Sequence, residues 1–501
     1  MPVFLAFTDF KHLKATQKTF ISDHLYYSKR GVYHMQDDFN YNFSGETKPK
    51  HKVWHLLIVS SLIFGMFFGS GNLIFPIHLG QLSGNNWFPA ALGFAVSGSL
   101  FPLLAILAVV VTKSDGLYDL ARPVGKYYAA IFLVLVHLTI GPFFGTPRTA
   151  AMAYEMAAKP FLPAKFNTVG MFLFTALFFG FAYILTVHQS QLLKYVGKYL
   201  NTIFLVLLAI IFVVAFLKPM GGLNHMPTSA YQTNPSVNGL LEGYNTIDAV
   251  ALLALSVTFV HAVRGLGYKD KEMSRLTAKA GSLSISLEIL VYFGLVLLGA
   301  FSLNKMKLSA NGGDALSSIV SYYFGNFGTA FLGVLVTLGV FTTAMGLVAS
   351  FSQDFHKLFP KVSYLGWLRV TTFLSFIVAN AGLDNIIAWS LPVLMLLYPL
   401  SLALILTSLT VYAKPYAGVV YKMTIAFTIL PALFDMLNAS PAAVTNLTFV
   451  KLALRYYHQY IPLANLGLGW VTLTLAGFVL GLVVGKLSNF ASVNTTVESR
   501  D

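Results

Sequence analysis

The 501-residue chain contains no cysteine, which excludes disulfides, thiol catalysis and cysteine-held metals and leaves no clue to redox compartment. It is also poor in charge. Asp, Glu, Lys and Arg make up 10% of residues, against roughly 25% in a soluble globular protein. Hydrophobic residues make up 56%, more apolar surface than a soluble fold can hide. Three chemical signatures are missing as well: a metal-spaced His/Glu cluster, a phosphate-cradling GxxxxGKS/T loop and a GxSxG nucleophile elbow. The sequence therefore reads as neither an enzyme nor a self-contained ATP-driven pump, and it implies no organic cofactor.

What is present is a succession of long uncharged runs. A bilayer needs about 20 consecutive apolar residues per helix, and runs of that kind fall near 54–80, 87–112, 127–147, 167–187, 199–217, 247–263, 281–303, 327–353, 362–382, 385–412, 418–437 and 463–484, twelve in all. The expected fold is all-α and integral to the membrane, with membrane lipid as its surroundings. The net charge of +14 does not point to nucleic acid. Lys and Arg lie in short loops between apolar runs, and no basic stripe interleaved with aromatics appears.

Those loop charges set orientation, because Lys and Arg are retained on the cytoplasmic side. Alternate loops hold Lys113, Arg122 and Lys126, then Lys194 and Lys198, then Arg264, Lys269, Lys271, Arg275 and Lys279, then Lys357 and Lys361, then Lys414 and Lys422. The opposite loops hold fewer, so both termini are expected in the cytoplasm. The division expected is a disordered cytoplasmic tail over 1–52, five spans over 53–217, an extracytoplasmic loop over 218–246, five more spans over 247–412, two further helices over 413–485 and a short tail over 486–501. The first tail shows no signal peptide, and Met35 is an alternative start. No obligate protein partner is evident.

Four features carry possible chemistry. In the first span, FGMFFGSGNLIFP sets Gly65, Gly69, Gly71, Asn72 and Pro76 at membrane depth. Glycine costs about 1 kcal/mol in a helix interior, so the stretch is read as unwound, freeing backbone groups for a cation and a carboxylate; the competing reading is tight packing through small residues. In the eighth, Thr342 and Thr343 follow Gly339 by one turn, as hard oxygen ligands or as hydroxyls bonded to their own helix. Arg148, beside Pro142 and Pro147, is placed at the edge of the third span as an anchor, a gate or a substrate ligand. Glu288 lies deep in the seventh span, as a proton site or a structural charge. His137, His261 and Asp435 read as satisfied interior polar groups.

The runs GSGNLIFPIHLG, TIGPFFGTPRTAAMAYE and VFTTAMGLVASF, in this order, resemble the branched-chain amino acid carrier II family (BrnQ-type), from about residue 53 to the end. The resemblance implies a LeuT-type 5+5 inverted repeat plus two C-terminal helices, in a bacterial inner membrane. It implies Na⁺ as coupling ion, with H⁺ the alternative, and uptake of leucine, isoleucine and valine by alternating access. GSGNLIFP looks like the unwound GxGNFxRFP segment of sodium-coupled amino acid symporters. By that likeness, backbone oxygens of Gly65 and Phe68 with Gly339, Thr342 and Thr343 hold sodium. Gly69, Ser70, Gly71 and Asn72 hold the substrate, opposite a sixth-span break expected at Ala254, Leu255 and Ser256, where the sequence has no glycine to mark it. A non-transporting amino acid sensor is the alternative of another class.

Overall fold

The computed structural model describes residues 52–69, 71–187, 192–268 and 270–498. Among them every regular element is helical, as lipid demands: with no water to satisfy backbone N–H and C=O groups, each span must satisfy its own. The helices are α1 Lys52–Phe67, α2 Gly71–Ser83, α3 Trp87–Ala95, α4 Phe101–Thr112, α5 Leu117–Ala121, α6 Lys126–Leu138, α7 Gly145–Ala157, α8 Asn167–Val187, α9 Leu192–Leu217, α10 Ser229–Thr233 and α11 Pro235–Tyr244. They continue as α12 Asp248–Gly265, α13 Asp270–Ser302, α14 Gly312–Leu358, α15 Tyr364–Ala379, α16 Leu383–Val411, α17 Ala417–Asn438, α18 Ala442–Thr445, α19 Thr448–Tyr460 and α20 Gly469–Glu498.

Eight helical stretches among the described residues are long and apolar enough to cross a membrane, and three shorter apolar helices lie at Val53–Gly65, Leu205–Leu217 and Tyr364–Ala379. Their outer faces are apolar: Phe172, Leu173, Leu177, Phe181 and Ile184 on α8, and Leu475, Val479 and Val483 on α20, are all exposed. Such faces are stable only against lipid. Helix starts are capped where loops allow. The Asn311 side chain accepts from the Gly313 and Asp314 amides at 2.9 and 3.0 Å, and Ser363 accepts from Gly366 at 3.1 Å.

Several expected boundaries move. The first span is divided into α1 and α2. The third runs on to Ala157, across a widened turn at Thr139–Phe143 where Pro142 has no N–H to give. The stretch 218–246, expected to be a loop, carries α10 and α11. The short tail expected over 486–501 begins as a continuation of α20, which reaches Glu498. The tail over 1–52 lies outside the described residues except for Lys52.

Two large apolar cores form among the described residues, with a small third at Val450, Leu454 and Tyr457 of α19. One joins Ile63 of α1, Val109 of α4, Phe132 of α6, Leu253 of α12 and Leu404 of α16. The other joins Ile74 of α2, Ala91 of α3, Met152 of α7, Leu295 of α13 and Leu316 of α14. Chain positions 63 and 74 thus belong to different cores, and the interruption between α1 and α2 sits at the seam.

Two helix contacts in the second half of the seam are built alike. A β-carbon on Gly80 of α2 would lie 1.9 Å from the Val296 carbonyl of α13, and one on Gly299 of α13 would lie 2.0 Å from the Ile77 carbonyl of α2. On Gly93 of α3 it would lie 1.8 Å from the Ser236 carbonyl of α11, and on Gly239 of α11 it would lie 2.0 Å from the Ala90 carbonyl of α3. In each pair the backbones touch through reciprocal glycines, the close approach that small residues permit in membrane helices.

Candidate substrate and ion site

The helix stops at Phe67 and restarts at Gly71. Phe68 still donates to the Phe64 carbonyl at 2.8 Å, but Gly69 turns away, and its N–H is taken by Asn72 Oδ1 at 3.1 Å. That bond fixes the Asn72 amide, aiming its NH₂ the other way. There it meets Asp248 Oδ2 of α12 at 2.6 Å, the Tyr292 hydroxyl of α13 at 2.5 Å and Glu288 Oε1 of α13 at 3.3 Å. Tyr292 in turn donates to Glu288 Oε1 at 2.9 Å. An amide NH₂ has two hydrogens for these three acceptors, so the Glu288 contact is the weakest. Asn72, Asp248 and Glu288 are all buried, and Glu288 Oε2 has no hydrogen-bond partner. Two acidic side chains from different helices are thus joined through one amide. Ser70 lies outside the described residues.

A second interruption faces the first. Helix α11 ends at Tyr244 and α12 begins at Asp248, with Ile247 between them at φ +68°. This corrects the expected break at Ala254, Leu255 and Ser256. All three lie in the unbroken turns of α12, and the Ser256 hydroxyl donates to the Leu253 carbonyl at 2.8 Å. A β-branched residue at positive φ is strained, and a side chain from elsewhere bonds the backbone just before it. Arg148 of α7 donates to the carbonyls of Asn245 at 2.5 Å and Thr246 at 3.3 Å. The guanidinium bonds the break from about a hundred positions away, and the nearest glycine, Gly243, lies one residue inside the end of α11.

Arg148 itself is not at a span edge. It is 4% exposed, packed with its guanidinium 5.3 Å over the Phe75 ring of α2. Around it the two interruptions touch. A β-carbon on Gly71 would lie 3.1 Å from Thr246 Cα, 3.1 Å from Arg148 Nη2 and 3.3 Å from the Phe75 ring. The N-terminal end of α2, carrying a positive partial charge, and the C-terminal end of α11, carrying a negative one, converge on a single point. That pairing suits a zwitterion.

A model described as branched-chain amino acid transport protein matches residues 52–488. The chain belongs to that family. The branched-chain amino acid permease BrnQ of Lactobacillus delbrueckii subsp. lactis is 38% identical over 445 residues, 88% of this chain and 99% of that protein. The branched-chain amino acid permease BraB of Bacillus subtilis is 38% identical over 431 residues, 85% of this chain and 95% of that protein. These relatives are permeases, not enzymes. Among solved structures, Mhp1 in its inward-facing conformation superposes with a TM-score of 0.57 at 13% identity, covering 87% of this chain and 91% of that one, a likeness of fold.

The eighth-span residues lie on α14. Thr342 and Thr343 of α14 both donate to the Gly339 carbonyl, at 2.7 and 3.4 Å. A hydroxyl that donates this way keeps its oxygen lone pairs, and nothing lies within 4 Å of the place a Gly339 β-carbon would take. Gly65 is exposed near the end of α1, and Phe68 packs on the same apolar core as Phe341. Three polar groupings escaped sequence reasoning. Asp248 falls at the start of the sixth apolar run, where no local feature marks it as a site residue. Tyr292 read as one aromatic among many. His137 reads in sequence as a lone satisfied histidine but bonds Asp354 Oδ2 at 2.9 Å, and Lys159 bridges Glu155 and Asp314. Apart from Glu155 beside Lys159 and Glu288 one turn from Tyr292, these partners lie far apart in the chain, and local sequence does not bring them together. His261 lies outside the described side chains, and Asp435 is satisfied by the Tyr457 hydroxyl at 2.8 Å.

Proposed function

We propose that this chain imports leucine, isoleucine and valine by Na⁺ symport through alternating access. The observation that carries the reading is the meeting of two helix interruptions at Gly71 and Thr246, beside oppositely charged half-helix ends. A carboxylate is held by the amides that open α2, and an aliphatic side chain by apolar walls. One methylene is worth only about 1 to 3 kcal/mol in such a pocket, so the three substrates are poorly separated. Sodium is taken by the carbonyls of Gly65 and Phe68 with Gly339, Thr342 and Thr343. Twelve spans in a LeuT-type 5+5 inverted repeat complete the reading, with both termini in the cytoplasm. Its support is that each five-span half opens on an interrupted span, α1/α2 in the first and α11/α12 in the second.

A second reading, H⁺ symport, is favoured by a specific observation. Asp248 and Glu288 are buried around one neutral amide, and two uncompensated carboxylates in such a place cost several kcal/mol each. A proton on either relieves that cost. Leucine uptake into proteoliposomes decides between them. Uptake driven by a Na⁺ gradient with the proton gradient collapsed supports sodium, and uptake only in the converse experiment sinks it.

A further inference from the structure

Arg148 is a permanent cation in the membrane interior, and it is incompletely paired. Two of its five N–H groups reach the carbonyls of Asn245 and Thr246, while Nε, shielded from solvent, has no partner. Among the described residues it forms no ion pair. Asp248, on the helix that follows the break, has Oδ2 taken by Asn72. Capping two carbonyls needs only neutral donors. A guanidinium costs far more to bury, and the cost is recovered only when an anion reaches it.

The geometry points to Arg148 as the side chain that receives the carboxylate of the amino acid, together with the amides opening α2, and as the occupant of the α11 carbonyls that an α-ammonium takes when the substrate arrives. This rests on the transport reading above. Nη2 lies against Gly71, the first residue of α2, so the anion is offered a helix N-terminus and a planar donor fork at once. The carbonyls of Asn245 and Thr246 end a half-helix at its negative pole, where a primary ammonium is the matching group. Arg148 therefore stands in for the ammonium in the structure described here and passes to the carboxylate on binding. Its release from the α11–α12 break couples substrate recognition to the movement of that break.

The test compares L-leucine with L-leucinamide, which keeps the ammonium and side chain and lacks the carboxylate, as competitors of labelled leucine uptake by the full chain in proteoliposomes. Arg148→Gln is expected to weaken leucine about 10- to 100-fold, the worth of a charge-assisted hydrogen bond, and to leave leucinamide unchanged or improved. Arg148→Lys, which keeps the cation with a single donor group, is expected to fall between. It also carries the test, with leucine-induced thermal stabilisation as the readout, if the glutamine variant does not fold. Equal losses for both ligands in either variant overturn the assignment and leave Arg148 a structural pin. Wild-type protein that moves no leucine under either ion gradient overturns the transport reading and this assignment together.

Discussion

Gly71 and Thr246, 175 positions apart in the chain, meet where their helices are interrupted: a β-carbon on Gly71 would stand 3.1 Å from Thr246 Cα. Backbone cannot yield to that contact as a flexible side chain can. Gly71→Ala is therefore expected to push the two interruptions apart, costing about 1 to 3 kcal/mol as overpacking does. Uptake should fall more than tenfold while expression in the membrane persists. Unchanged leucine uptake counts against the meeting point as the site.

Asn72 joins the first interruption to both acidic residues. Asn72→Ala removes the hydrogen bond that Asp248 Oδ2 accepts and frees the Gly69 amide, and breaking a buried charged network in this way costs about 3 to 5 kcal/mol. A thermal midpoint lowered by several degrees is expected. The loss should be smaller when Asn72→Ala is made in a Glu288→Gln background, because the groups share one network. Strict additivity in that cycle speaks against the shared amide.

The sodium reading makes a separate demand on α14. Thr342 and Thr343 bond only their own helix, so removing both hydroxyls costs the fold about 1 kcal/mol or less. The double change Thr342→Ala, Thr343→Ala is expected to fold normally and to raise the Na⁺ concentration for half-maximal leucine uptake at least tenfold. A normal sodium response moves the ion elsewhere, with the Asp248–Glu288 cluster the next place to look.

His137 and Asp354 tie α6 to α14 at 2.9 Å, away from the interruptions. His137→Ala leaves a largely buried carboxylate with Lys357 alone, 3.6 Å away and mostly exposed. Thermal stability is expected to fall by about 1 to 3 kcal/mol, with the relative affinities for leucine, isoleucine and valine unaltered. A change in selectivity ties this pair to substrate recognition.

The close helix pairs give a last check. A side chain at Gly93 or Gly299 must displace backbone carbonyl at 1.8 to 2.0 Å. Gly93→Val and Gly299→Val are both expected to abolish correctly folded protein, judged by size-exclusion profile in detergent. Tolerance of valine at either position counts against close backbone contact there.

The sequence by itself determined what depends on composition and on neighbours along the chain. Long uncharged runs dictate helices in lipid, because nothing else satisfies the backbone there. Gly65, Gly69, Gly71 and Pro76 announce a weak point in the first span, and the helix does stop at Phe67. The family too was legible, through TIGPFFGTPRTA and its companions. The tertiary structure decided everything that rests on distant partners. The second interruption lies at Asn245–Ile247 rather than at Ala254–Ser256, and Arg148, about a hundred residues earlier, bonds its carbonyls. Asp248 becomes part of a site only when Asn72 reaches it. Periodicity and propensity act over a few residues, while hydrogen bonds between spans act across the fold, and this protein's candidate site is made of the latter.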